Sequence, residues 1–574
     1  MSNRRATLID RIRHDGRFDA VILGGGINGI GTFRELAVQG LRVLLVERAD
    51  FSSGCSAAPS RMIHGGLRYL ENGEIGLVRE SLRERDALLA NAPHLVHPLP
   101  TTIPITSTFS GLFNAAAGLV GVTGKPASRG ALPIKLGLSL YDFIVRRNRR
   151  LPKHQFRSAK ATLARWPELM PDLRSSATYH DAWISHPERL ALELLADCRR
   201  DAPDCIALNY ATLAAQDGGY RLSGLGIDAP LTITPRAIVN ATGAWLDETL
   251  SSLNRATEAP LVAGTKGSHL ILDNPWLKAA LGGHMVFFEN DDGRVCILFP
   301  YLGKVLAGST DIRVDRPGRV RCTPEERDYI LGAVQRIFPR IRLDESQIIF
   351  SYSGIRPLPK SDHAFTGRIS RGHFIHRIDG SIPLFCMVGG KWTTFRAFAE
   401  QTADAVLASL NHPRRTDTRP LPIGGGLNFP TDPADLAADL CRRFGISPAR
   451  ADHLTGTYGT TSYALLEFCR ARADDTPLIE GLPWTEAEIT WLIATEDVQH
   501  LADLVLRRTT LAITGALDPR SLDRLTVIAA RDLGWSAPQA AEEKATLIAE
   551  LTEFHDLPAA RWAAPSAERK NACV

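Results

Sequence analysis

The sequence predicts a multi-domain α/β (α+β) protein: a discontinuous Rossmann-like domain, an antiparallel-sheet domain inserted in it, and a C-terminal all-helical domain. Three observations predict it. A β-α-β unit with a glycine turn opens the chain, alternating segments fill 262–312, and the stretch after 430 reads as helical to about 555. The 574 residues exceed one ordinary core and suggest about three or four structural units.

The first strand is the apolar run 18–23, suited to a buried parallel strand, followed by glycines, a helix to about Gln39 and a second strand at 41–46. Gly40 closes that helix as a C-cap. A helix is expected from about Gly76 to Asn91, with leucines near one face. Residues 99–124 carry no charge, yet two prolines, five threonines and four glycines make a poor transmembrane helix. Beyond them, Lys125, Arg129, Lys135, Arg146, Arg147, Arg149, Arg150 and Lys153 surround the apolar stretch 132–145. Such a segment suits an anionic membrane surface, or a solvated face beside a core helix. An amphipathic helix is expected at 187–204 and a buried strand at 237–243. Thr323-Pro324-Glu325-Glu326 is a capping box with proline at N1, opening a helix to Phe338. A strand at 383–388 leads into Gly389-Gly390 and a helix over 392–410, and 420–430 reads as a linker. The expected division is a cofactor domain at about 17–98, 155–258 and 345–419, a substrate domain at 99–154 and 259–344, a helical domain at 431–557 and a tail at 558–574.

Composition narrows the function. With 44% hydrophobic and 23% charged residues the chain is a folded protein, and a net charge of +4 gives no reason to expect nucleic acid. Nine scattered cysteines without a C-x-x-C pair point to a reducing compartment and away from a metal site. The N-terminus lacks a signal-peptide pattern, so cytoplasmic residence is expected.

Gly24-Gly25-Gly26-Ile27-Asn28-Gly29 fits G-x-G-x-x-G between a strand and a helix, where backbone can approach a pyrophosphate. Glu47 ends the next strand 18 residues past Gly29, placed to bond a ribose. A dinucleotide site follows, and the motif leaves FAD or NAD open.

The segment Ser60-Arg61-Met62-Ile63-His64-Gly65-Gly66-Leu67-Arg68-Tyr69-Leu70-Glu71 resembles the FAD-dependent glycerol-3-phosphate dehydrogenase/oxidase family. Asn240-Ala241-Thr242-Gly243, Lys266-Gly267-Ser268-His269, Gly308-Ser309-Thr310-Asp311, Tyr352 to Leu358 and Gly389 to Arg396 reinforce the match in family order, with Thr457-Tyr458-Gly459 and Arg507-Arg508-Thr509 beyond. The chain departs from the family pattern at several places: Phe33, Glu35, Arg61 and Phe395 replace Ala, Asp, Lys and Tyr, and His186-Pro187-Glu188-Arg189-Leu190 replaces Asp-Asp-Ala-Arg-Leu.

The resemblance implies FAD, held by Gly24, Gly26, Asn28, Gly29, Glu47, Ser60, Gly65, Gly66, Ala241, Gly243, Gly390, Lys391 and Thr393. It implies oxidation of sn-glycerol 3-phosphate, or another polyol phosphate such as erythritol or threitol phosphate, with quinone or oxygen as acceptor. Arg356 and Lys391 are the expected phosphate holders, because a planar guanidinium binds phosphate bidentately and lysine adds a compact charge. Imidazole, with an ordinary pKa of about 6.5, suits the hydroxyl proton; His64 ranks first as base and His269 is its rival. Arg68 is expected to help the phosphate or the flavin. Peripheral contact with the inner face of the cell membrane and homodimerisation stay open, as does a flavin-carrying regulatory protein without turnover.

Overall fold

A computed structural model describes residues 4–67, 74–107, 131–144, 150–290, 292–360, 372–472 and 475–563. A six-stranded sheet runs in the order His373–Ile378, Leu384–Gly389, Ile238–Asn240, Ala20–Leu23, Val43–Val46, Ile206–Leu208. All its pairs are parallel except the first. Its central strands are buried and, apart from Asn240, apolar or glycine, because both faces are covered. The helices Ile27–Ala37, Pro187–Asp201 and Phe395–Ser409 pack on one face, and apolar residues from the N-terminal helix Arg4–His14 and a small four-stranded sheet fill the other. Gly40 lies at φ 84°, its N–H bonding the Ala37 carbonyl while that of Leu41 reaches Leu36, so the helix closes in a Schellman arrangement.

Register decides where the ligand end lies. Leu23 pairs with both Val46 and Asn240, so Gly24, Glu47 and Ala241 leave the sheet at one level. Carboxyl ends of parallel strands form the binding edge of such sheets.

The second large sheet has ten strands, with Val262–Leu272 near one end and Ser175–Ile184 near the other. It differs from the expected segmentation. Ser175–Ile184 and Ile348–Pro359, given by the sequence to the cofactor domain, pair here with Val96–Ile105 and Val262–Leu272. Long-range pairing of this kind leaves no trace in local periodicity. The uncharged run from Leu99 begins inside the Val96–Ile105 strand; 108–130 lie outside the described residues. Among the described residues no helix is long and apolar enough to cross a membrane.

The C-terminal part carries helices from Pro433–Phe444 to Ala537–Phe554, whose core is continuous with Ile271, Phe299, Leu306 and Phe350 of the ten-stranded sheet. It docks through charge as well as apolar contact: buried Asp50, just past the second strand, accepts from both Arg507 and Arg508. The 420–430 stretch is packed, since a Cβ on Gly425 would stand 1.8 Å from the Tyr458 carbonyl oxygen and one on Gly426 2.0 Å from that of Asn91.

Candidate active site

Three glycines of the first turn have distinct local reasons. Gly24 takes φ 103°, and a Cβ there would stand 2.7 Å from the Ala241 carbonyl oxygen. A Cβ on Gly29 would stand 1.9 Å from the Gly24 oxygen, so helix and strand can touch only without one. Gly26 is different: its Cβ would meet only the Ser56 hydroxyl, at 3.1 Å. It caps the Ile27–Ala37 helix without a side-chain bond of its own; the Ile27 amide donates to the Ser56 hydroxyl at 2.9 Å, and the next first-turn amides point toward where an anion would sit. Glu47 accepts from the Gly25 and Ala49 amides at 2.6 and 2.8 Å, and burial raises its pKa. Each oxygen keeps a lone pair for a ribose hydroxyl. The Asn28 Oδ1 is buried without a partner, an acceptor awaiting a donor.

From this edge a cleft of about 1730 Å³, mouth included, runs between the two sheets. Of the residues named from sequence, Ser60, His64, Gly66, Arg356, Gly390, Lys391 and Thr393 line it. The His64 amide donates to the Thr393 hydroxyl at 3.1 Å, tying the two glycine-rich loops together. Gly66 and Gly390 hold φ 74° and 104°. Gly65 faces elsewhere: its amide bonds Asp181, and a Cβ would collide with Tyr141 at 2.3 Å. Gly243, at φ 61°, lies against Pro357. Arg68 lies outside the described residues.

His269 stands behind the cleft wall. It is 1% exposed, stacks on Tyr352 with ring centroids 5.0 Å apart, and shares a 2.9 Å hydrogen bond with the Ser60 hydroxyl. Burial, then Arg356 and Arg61, push its pKa well below the ordinary imidazole value. The half-buried His64 is the histidine in the cleft lining.

Arg356 is held by groups that the sequence reading passed over. It donates to Asp311 at 3.0 Å, to the Ser309 hydroxyl at 3.1 Å and to the Thr310 carbonyl at 3.2 Å. It lies flat on Gly267, where a Cβ would come 2.0 Å from its Nη2. Glu326 does more than cap its helix. Its carboxylate accepts from Thr310, Ser268 and Lys266, at 2.7, 2.9 and 2.6 Å, and fixes the loop carrying Asp311. The Lys391 ammonium donates to Ser81 at 2.9 Å. The Gly-Ser-Thr-Asp and Lys-Gly-Ser-His motifs, each present once, carry the sequence signal for Asp311 and Gly267.

Two departures from the family pattern meet each other. Arg61 pairs with Glu188 at 3.0 Å, both buried, beneath the Tyr301 and Tyr352 rings. A buried glutamate needs a counter-charge, and the longer arginine reaches it.

The parallel sheet, the glycine edge and the cleft together define a dinucleotide-dependent oxidoreductase. Residues 19–405 match the model for FAD-dependent oxidoreductases, and 416–540 match that for the C-terminal domain of alpha-glycerophosphate oxidase. A glycerol-3-phosphate dehydrogenase of Synechocystis sp. is 33% identical over 86% of this chain and 89% of its own. A D-erythritol 1-phosphate dehydrogenase of Brucella abortus is 31% identical over 86% and 94%. The FAD-complexed glycerol-3-phosphate dehydrogenase structure from Bacillus halodurans superposes with TM-score 0.74 at 24% identity, covering 96% of this chain and 97% of that one. The chain belongs to the FAD-dependent glycerol-3-phosphate dehydrogenase family, and FAD is its cofactor.

Gly26→Val is expected to give folded apoprotein. A side chain there has room within the protein and stands where the pyrophosphate must approach. The ratio of flavin to protein absorbance checks it; full flavin content in that variant would move the site elsewhere.

Proposed function

We propose that this chain oxidises sn-glycerol 3-phosphate to dihydroxyacetone phosphate and passes the electrons to a quinone. The observation that carries the reading is the shared cleft: Arg356, anchored by Asp311 and Ser309, and Lys391 line it together with His64. When bound, FAD supplies the hydride acceptor at its N5. A phosphate dianion entering such a cleft must be paired, and two cations lining it would do that while orienting the alcohol C–H. His64 would take the hydroxyl proton, and His269, neutral behind Ser60, would fix the wall. The other cofactor residues named above, Gly65 excepted, and a division into cofactor, substrate and helical regions with 175–184 and 348–359 counted in the ten-stranded sheet belong to the same proposal.

Anaerobic addition of polyol phosphates tests it. Absorbance at about 450 nm, roughly that of any oxidised flavin, should bleach with sn-glycerol 3-phosphate and not with glycerol. Because the Brucella relative is named for D-erythritol 1-phosphate, that compound belongs in the panel. Bleaching by unphosphorylated polyols alone would overturn the phosphate reading.

The reading includes a peripheral position on the inner face of the cell membrane. The helix Ala131–Ile144 exposes Leu132, Leu136, Leu140 and Phe143 along one side, Leu136 at 64% and Phe143 at 66%. Lys135, Arg150 and Lys153 are exposed beside it, whereas Lys125, Arg129, Arg146, Arg147 and Arg149 lie outside the described residues. Binding to anionic vesicles should weaken with salt. Equal sedimentation of wild type and a variant neutralised at Arg146, Arg147, Arg149 and Arg150 would refute it.

A further inference from the structure

The short strand Met62–Ile63 pairs with Ser175–Ile184 through Met62 with Trp183 and Ile63 with Ala182. At Asp181, the next residue of the partner strand, a side chain takes over from the ladder. Its Oδ1 accepts from the Gly65 amide at 3.0 Å, from the Tyr141 hydroxyl at 2.6 Å and from Arg85 Nη1 at 3.0 Å. Asp181, Arg85 and Tyr141 are 1%, 2% and 3% exposed. A carboxylate at such depth is tolerated only when donors surround it.

The three donors come from separate parts of the chain. Arg85 stands on the helix Ile75–Asn91, Tyr141 on the helix Ala131–Ile144, and Gly65 in the loop that leads away from the short strand past His64. The Tyr141 ring and Leu82 close directly on Gly65, where a Cβ would stand 2.3 Å from the tyrosine oxygen and 2.4 Å from Leu82 Cδ2. Arg85 also reaches Asp86 at 2.8 Å, so its charge does not depend on Asp181 alone.

What this seating fixes is His64. Its own amide donates to the Thr393 hydroxyl, and the amide that follows it donates to Asp181. Those two N–H groups belong to the rigid peptide planes on either side of the His64 Cα, so holding both holds its φ and ψ. Backbone angles select the rotamers open to a side chain. The imidazole lining the cleft therefore takes its direction from a carboxylate buried behind the loop.

We propose that Asp181 is a positioning residue for the reaction, holding His64 toward the substrate hydroxyl through the Gly65 amide, with Tyr141 and Arg85 keeping the carboxylate in place. This role rests on the reading that His64 takes the hydroxyl proton. Phosphate binding is left to Arg356 and Lys391, so Asp181 acts on the rate of the chemical step and not on substrate affinity.

Stopped-flow bleaching of the anaerobic holoenzyme by sn-glycerol 3-phosphate separates rate from affinity. Asp181→Ala should slow flavin reduction at saturating substrate on the order of 10²-fold, the cost of a misplaced reacting group, with half-saturation within about twofold of wild type. Asp181→Asn keeps an acceptor oxygen for Gly65 and should recover all but about fivefold of the rate. In a His64→Ala background, Asp181→Ala should slow reduction by less than about twofold further, because effects of residues that act through one another do not add. A carboxylate serving stability alone would slow both backgrounds by the same factor. Tyr141→Phe keeps the ring against Gly65 and should repeat the pattern at about three- to tenfold, which carries the test if Asp181→Ala does not fold. Equal slowing with and without His64 would overturn the proposal, as would a raised half-saturation at an unchanged rate. Wild-type bleaching by His64→Ala would refute His64 as the base and this role with it, whereas a slow His64→Ala with additive loss at Asp181 refutes the positioning role alone.

Discussion

Arg356→Ala is expected to raise KM and lower kcat for a phosphorylated polyol together, with kcat/KM falling on the order of 10²-fold or more. The magnitude corresponds to losing a charge-assisted, aligned contact worth about 3 kcal/mol. Geometry adds to it, because the variant leaves the Asp311 carboxylate at the cleft wall without its 3.0 Å partner, facing the incoming phosphate. Glycerol lacks the phosphate and should be a poor substrate that loses little further. A second variant separates position from charge. Gly267→Ala keeps Arg356 but puts a methyl where its guanidinium lies, so it should lose a large part of the same activity, again with the phosphorylated substrate selectively affected. Steady-state kinetics on both polyols check the pair of predictions. Equal losses on phosphorylated and unphosphorylated substrate would show that Arg356 does not recognise phosphate.

Asp50→Asn should cost about 3–5 kcal/mol in the first unfolding transition, because it leaves the buried Arg508 guanidinium without its carboxylate and Arg507 with Asp503 alone. The same pair gives the wild type an acid-sensitive joint. Burial by itself raises the Asp50 pKa, but Arg508 and Arg507 outweigh it and hold the carboxyl below its usual range. A depressed folded-state pKa means that the contribution is complete above the unfolded value of about 3.9 and is lost as pH falls through the folded one. Wild type should therefore lose helical-domain docking progressively below about pH 4, whereas the variant should lack that segment of the profile. Urea unfolding across pH measures both. A loss under about 1 kcal/mol, the range of an exposed pair, would show that the helices dock without this contact.

How much was legible beforehand depended on how far each feature reaches along the chain. The glycine turn was readable residue by residue, since Gly24 needs a positive φ and Gly29 a missing Cβ within six residues of each other. The capping box at Thr323 and Glu326 formed as read, although its carboxylate proved to serve the Thr310 loop as well. His64 and His269 could not be separated from sequence. Both precede or follow small residues in motifs of the same family, and only packing shows one in the cleft and the other stacked on Tyr352 behind Ser60.

The sequence by itself determined the nucleotide-binding edge, the cofactor class implied by the ordered motifs, and the cations available for a phosphate. Those features rest on backbone conformation and residue chemistry, which act over a few positions. Only the tertiary structure decided which strands joined the large sheet, that Arg61 and Glu188 compensate each other, and that Asp311, Ser309 and Gly267 hold Arg356 in place. Each of these joins residues dozens to more than a hundred positions apart. Hydrophobic periodicity says which face of an element is buried, while its partner and register are fixed by long-range pairing and close packing, which no short window of sequence contains.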